Sequence, residues 1–205
     1  MKAVLSTCLF WAMLSPVVPL KCISAVNTTE LSDENVSECK PGQNLCVAGV
    51  LNTKSVANRE EVFYGCAASK VCHSGHYSFT STQGKFLDMT IHCCSSDLCN
   101  NETLTIPDHN ALTPNGMQCP ACFAAKFQNC TSDKTVNCLG NENQCVHFEG
   151  ALMEGFHKGD RFFFHGCATK DFCAIKEKQK NGFGHIVRIG NTIITARKEN
   201  CYNAS

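Results

Sequence analysis

The chain carries no net charge: eighteen Lys/Arg balance eighteen Asp/Glu across 205 residues. No Gly-rich phosphate loop appears. The basic run "KEKQK" at 176–180 is too short to argue for nucleic acid and reads as a solvated tip. After the first twenty residues no long apolar run recurs. A membrane-spanning helix needs about 20 uninterrupted apolar residues, so no later span is expected. The ending "ENCYNAS" has no apolar tail of the kind that directs lipid anchoring. No 3.6-residue periodicity runs over a helical length, which argues against a helical domain.

Cysteine, by contrast, is abundant: 17 residues, about 8% of the chain, near the level of a disulfide scaffold. Lys2 followed by the apolar stretch to Leu20 reads as a signal peptide over residues 1–21, with Ser15-Pro16 and Pro19 interrupting the run. The expected cut lies before Cys22, because cutting after the "ISA" that follows would strand a partner. Cys8 falls in the leader, leaving an even sixteen, as expected if every mature cysteine is bridged. Disulfides persist in oxidising compartments, so the mature chain is expected to be secreted and extracellular. Asn27, Asn35, Asn101, Asn129 and Asn203 open Asn-x-Ser/Thr sequons and are candidate glycosylation sites on surface loops.

The chain is written twice. Cys39, Cys46, Cys66 and Cys72 are 7, 20 and 6 positions apart; Cys138, Cys145, Cys167 and Cys173 are 7, 22 and 6 apart. "FYGCAASKVC" answers to "FFHGCATKDFC", with Phe63, Gly65 and Ala67 matching Phe164, Gly166 and Ala168. Spacing and identity together mark a repeated module. The expected copies are residues 22–100 and 119–205, with 101–118 as a linker, since "NNETLTIPDHNALTPNGMQ" has loop composition. Short runs rich in β-branched and aromatic residues read as strands: "LCVAGVL", "EVFYGC" and "KFLDMTIHC", then "QCVHFEGAL", "RFFFHGC" and "HIVRIGNTIITA". The expected fold class is all-β, two tandem disulfide-stapled domains of a size at which staples help.

The neutral total hides an asymmetry. From Cys22 to Leu112 five Lys/Arg face ten Asp/Glu, a net of −5; from Thr113 to Ser205 eleven face eight, a net of +3. Such a dipole acts on association and orientation rather than on fold.

One stretch, "CCSSDLCN" at 93–100, is distinctive. Neighbouring cysteines rarely bond to each other, so Cys93 and Cys94 reach in different directions. A cysteine pair, a short loop and a final Cys-Asn resemble the closing signature of the three-finger fold shared by snake toxins and the lymphocyte-antigen/urokinase-receptor domain family. In the second copy "PNGMQCPAC", "CLGNENQC" and "GCATKDFC" resemble the two-domain gamma-type phospholipase A2 inhibitors and their mammalian relatives; the first copy looks more like the sperm and bone-associated members. The resemblance implies the pairs Cys22–Cys46, Cys39–Cys66, Cys72–Cys93, Cys94–Cys99, Cys119–Cys145, Cys122–Cys130, Cys138–Cys167 and Cys173–Cys201. Spacing alone leaves connectivity open. The first copy lacks counterparts of Cys122 and Cys130, and the second lacks the small terminal loop; each time both partners are missing together. The resemblance also implies a structural role for Asn100, tying the chain end back to the knot.

Catalytic motifs find no context. "CCSSDLC" lacks the histidine and the calcium loop of a secreted phospholipase. His73 and His76 in "CHSGH" read as turn histidines, since no further ligand is placed by spacing. Outside this pair and Asp108-His109, five other histidines are scattered singly. No enzyme, metal site or cofactor is expected. The resemblance implies a secreted protein-binding protein of the phospholipase A2 inhibitor type, with a secreted phospholipase as partner. The alternative is an extracellular ligand or adhesion partner of a cell-surface receptor, associated with the reproductive tract or bone. Along Arg161-Phe162-Phe163-Phe164 alternate side chains face opposite ways. At least one phenylalanine therefore faces outward if the sheet has a solvated side; Phe163 is taken as the candidate binding anchor, together with the tip "CAIKEKQKNGFGHIVRIG", and the competing reading packs all three phenylalanines inside.

Overall fold

A computed structural model describes residues 18–28, 30–54, 58–125, 130–154, 161–174, 184–189 and 192–205. The first copy contributes β1 (Lys21–Ile23), β2 (Ala25–Val26), β3 (Val36–Glu38), β4 (Leu45–Lys54), β5 (Asn58–Ala67), β6 (Gly75–Thr80) and β7 (Phe86–Cys94). The second contributes β8 (Pro114–Ala125), β9 (Lys134–Leu139), β10 (Gln144–Glu154), β11 (Arg161–Ala168), β12 (Gly184–Ile189) and β13 (Thr192–Asn203), with a five-residue helix α1 (Lys170–Ala174) after β11. The fold is all-β. All strand pairs are antiparallel.

The six expected strand runs lie on β4, β5, β7, β10, β11 and the β12–β13 pair. Within the first copy β4 is central, paired with β5 on one side and β7 on the other. Gly49 stands opposite Phe63, and a Cβ there would overlap the Phe63 ring. Glycine lets that ring lie flat across the strand. In the second copy β10 is central between β11 and β13.

Eight disulfides staple the two copies: Cys22–Cys46, Cys39–Cys66, Cys72–Cys93 and Cys94–Cys99 in the first, Cys119–Cys145, Cys122–Cys130, Cys138–Cys167 and Cys173–Cys201 in the second. Cys93 and Cys94 point to opposite faces of β7, as alternation requires, and so reach different partners. Loops of this size are worth roughly 2–4 kcal/mol each in the chain-entropy picture. Asn100 completes the first knot. It is fully buried, accepts a hydrogen bond from the Ile23 amide at 3.0 Å and donates to the carbonyls of Ile23 and Val47 at 2.9 Å each.

The copies do not hang as two beads. The sheet runs β12-β13-β10-β11-β6-β7-β4-β5-β2, with β8 also on β11 and β9 on β8. It crosses from copy to copy where Cys167 pairs with Thr80 and Ala168 with Phe79. One apolar core follows it across: Phe79, Leu87 and Met89 pack with Val146, Phe148, Phe162, Phe164 and Phe172.

Two segments at the expected boundaries make contacts of their own. The segment 101–118 has the composition of a linker, yet β8 begins at Pro114. A register shift between Pro114 and Gln118 accommodates Gly116, whose φ of +89° only glycine adopts easily. The rest of the segment docks through a 3₁₀ turn, His109–Ala111, whose His109 stacks on Phe86 at 3.7 Å and places Nδ1 2.8 Å from Asp88 Oδ2. At the other end, residues 1–17 of the expected leader lie outside the described residues. Lys21 is already part of β1: its amide donates to Asp97 Oδ1 at 2.9 Å and its carbonyl accepts from Leu98 N at 2.8 Å.

Candidate contact surface and the junction between the copies

β11 separates its side chains cleanly. Phe162 and Phe164 point into the shared core at 1% and 0% exposure. Phe163 and His165 face the other way and are half-buried. The expected anchor thus lies on the outer face, flanked by Ala124 of β8 and Glu149 of β10 in register.

Beside it the outer face carries a row that no spacing signalled. His165 pairs with His147 across β10, their rings stacked at 4.0 Å. Tyr202 of β13 meets His147 edge-on at 5.4 Å, its hydroxyl 3.1 Å from Nε2. Ser132 Oγ closes the row against His165 Nδ1. Burial, and then the neighbouring His147, push the His165 imidazole down to about 4. At neutral pH His165 is therefore uncharged, within an aromatic row that ends in the exposed Tyr202. The Ser132–His165 contact has the look of a nucleophile and its base. An imidazole of such low basicity is a poor base near pH 7, and its neighbour is a second imidazole where a triad has an orienting carboxylate. The row is suited to contact: rings with polar tips give large area at low entropy cost.

The junction is polar where it is not aromatic. Thr169 and Ser78 exchange hydrogen bonds: Thr169 N donates to Ser78 O and Ser78 N to Thr169 Oγ1, both at 3.0 Å. Ser81 Oγ lies 2.9 Å from the Cys122 carbonyl and 2.7 Å from that of His165. The His76 amide donates to Asp171 Oδ2 at 3.0 Å. Gly166 stands where a Cβ would overlap the Thr80 carbonyl oxygen; the strands meet because that residue has no side chain.

The remaining sequence candidates fall as follows. Asn27 and Asn101 are exposed. Asn35 is half-buried, and its Oδ1 accepts from Ser32 N at 3.0 Å and Oγ at 3.2 Å. Asn203 Oδ1 accepts from Gln144 Nε2 at 3.0 Å. Asn129 lies outside the described residues, as do 175–183 and 190 of the tip segment. His73 and His76 sit around the start of β6; the His73 carbonyl accepts the Tyr77 hydroxyl at 2.8 Å. Cysteines gather in groups such as Cys119, Cys138 and Cys167, but each is bridged and so withdrawn from metal ligation.

Two three-fingered, knot-based units in tandem define the class, and sequence comparison places the chain in it. The u-PAR/Ly-6 domain family pattern matches residues 19–102 and again residues 115–203; the chain belongs to that family. Phospholipase A2 inhibitor NAI of Notechis ater is 28% identical over 181 residues, which cover 87% of this chain and 88% of the relative. A phospholipase A2 inhibitor gamma subunit from Laticauda semifasciata is 28% identical over 143 residues, 69% of this chain and 77% of the relative. The crystal structure of mouse TEX101 aligns over 82% of this chain and 84% of its own at 21% identity, with a TM-score of 0.31. Dense disulfides and relatives of this kind point to an extracellular protein, secreted or held at a cell surface.

Proposed function

We propose that the chain is a secreted, non-enzymatic protein-binding protein of the phospholipase A2 inhibitor type. It acts by surface contact through the outer face of the second copy. The observation that carries this reading is the alignment with the Notechis ater inhibitor, which spans 87% of this chain and so runs through both copies. Function in such folds sits on the surface rather than in the architecture. On that surface Phe163, His147, His165 and Tyr202 form the aromatic group described above, and central aromatic residues are the usual energetic anchors of protein interfaces.

The test is binding of the secreted protein to a panel of secreted phospholipases A2, alongside a Phe163→Ser variant whose fold is checked by circular dichroism. The expected result is binding below micromolar, weakened at least about tenfold in the variant. No binding to any member of the panel at micromolar concentration removes the inhibitor reading and leaves the receptor-ligand alternative. Equal binding by parent and variant keeps the inhibitor and removes this face.

A further inference from the structure

The turn between β9 and β10 places Glu142 between the copies. Its side chain is 1% exposed. Oε1 lies 2.7 Å from Ser78 Oγ and 2.9 Å from Thr80 Oγ1, both on β6 of the other copy. Oε2 accepts from the amide of Leu139 in its own copy at 3.1 Å. The Glu142 carbonyl is held by Asn115 Nδ2 at 2.9 Å. The carboxyl is thus fixed on one side and bound to the neighbouring copy on the other.

Charge at this spot is poorly matched. Across the β6–β7 ladder Ser78 pairs with Asp88, which is itself 1% exposed. Asp88 already has its counter-group, His109, 2.8 Å away. Among the described residues no cationic side chain is paired with Glu142. The groups that face it are two hydroxyls from β6, an amide N–H from its own turn and, from β7, a second carboxylate backed by the imidazole of the 3₁₀ turn. An ionised Glu142 is a second buried negative charge beside the first, and such a charge without a cation is costly. A neutral Glu142 keeps all its contacts, because either hydroxyl can rotate from donating to accepting the acid proton.

We propose that Glu142 is a proton-operated latch between the two copies: as a neutral acid it clamps β6 against the second copy, and as a carboxylate it loosens that clamp. Burial and the Asp88 charge raise its acid group to about 7, against the hydroxyl and amide hydrogen bonds that pull the other way, burial being the largest influence. The sense of the pH dependence follows. Between the ordinary value of 4.5 and about 7, the clamped form holds a proton that the opened, hydrated form has released. Acidification through this window therefore tightens the junction, and raising the pH through it loosens it by up to about two orders of magnitude in the closing equilibrium. The physical consequence is that a surface composed from both copies is rigid in mildly acidic fluid and looser at neutral to alkaline pH.

Amide hydrogen exchange on the full secreted chain tests this between pH 5 and 8, after correction for the intrinsic pH dependence of exchange. The amide of Ser78, bound to Thr169 Oγ1, is the reporter. Its protection is expected to fall at least tenfold as the pH rises, and to stay flat in Glu142→Gln, which keeps the shape and cannot ionise. A flat wild type, or the same slope in the variant, overturns the latch. Should the variant fail to fold, carboxyl-carbon NMR titration of Glu142 in the wild type decides alone: a midpoint near 7 supports the latch and one near 4.5 removes it.

Discussion

Phe79 of the first copy lies flat on Phe164 of the second, ring centres 3.9 Å apart and planes 15° from parallel. Both are essentially unexposed, and Phe172 of α1 closes against the pair edge-on, 5.7 Å from Phe79 and 5.9 Å from Phe164. A stack of this kind adds to area burial. It joins the two copies through one shared core in spite of their repeated sequence. Phe164→Ala is expected to cost about 3–5 kcal/mol, as removal of a core phenylalanine ring does, and to lower the melting temperature of the whole chain in one transition. A variant in which only half the unfolding signal moves would show two independent units.

Gly166 sets how closely the two copies approach. Any Cβ there meets the Thr80 carbonyl oxygen, which belongs to backbone and cannot swing aside. Gly166→Ala is therefore expected to unzip β6 from β11 while leaving the eight disulfides intact. The reporter is amide exchange at Thr169, whose N–H is bound to the Ser78 carbonyl: protection lost there but kept in β4 and β10 is the expected pattern. Unchanged protection at Thr169 would mean the strands can part and re-form around the methyl group.

Asn100 holds the first knot with three buried hydrogen bonds. Asn100→Ala strands the Ile23 amide and the carbonyls of Ile23 and Val47 in a site with no exposure. Each unsatisfied group costs about 1–3 kcal/mol. The variant is expected to lose several kcal/mol in urea denaturation, with all disulfides formed. Asn100→Asp keeps the acceptor but sets a buried carboxylate against the two carbonyl oxygens, and should lose at least as much. A loss under about 1 kcal/mol for the alanine variant would show that water replaces the side chain.

The fold class was legible because its signals are local and doubled. Cysteine spacing recurs, β5 and β11 share the phenylalanine, glycine, cysteine and alanine around their cysteine, and the terminal Cys-Asn motif stands apart. The strands that escaped are polar or short: β6 reads "GHYSFT", β3 only "VSE", and β8 contains Pro120. Their pairing is decided by neighbours far away in sequence, which local preference does not report. The same applies to the sites. Phe163 could be singled out by alternation along one strand. His147 and His165 meet only once the β10–β11 register is known. Glu142 needs partners 62 and 64 positions away, in the other copy.

The start of the mature chain bears on the first knot. Leu20 packs against the Cys22, Cys39 and Cys46 cluster, its carbonyl accepts the Cys39 amide at 2.8 Å, and Lys21 pairs with Glu38 in β1–β3. A cut before Cys22 would remove these contacts. Amino-terminal sequencing of the secreted protein is expected to begin at or before Leu20. A sequence starting at Cys22 would show that β1 holds through Cys22 and Ile23 alone.

Two groups pull stability in opposite directions as pH changes. Glu142 has a folded value of about 7 against 4.5, so its contribution favours folding at low pH and is lost as pH rises from 4.5 to 7. His165 has a folded value of about 4 against 6.5. The unfolded chain binds the extra proton between those values, so this contribution is present above 6.5 and is lost as pH falls toward 4. His165 is only half-buried, and solvent screening makes its effect the smaller. From pH 4.5 to 6.5 the two slopes oppose, and the larger one, from Glu142, leaves a shallow net fall in the wild-type urea midpoint as the pH rises. Removing one group should reveal the other: Glu142→Gln is expected to gain stability with rising pH across this range, and His165→Gln to lose it. Parallel profiles for the two variants would show that neither group titrates as its surroundings require.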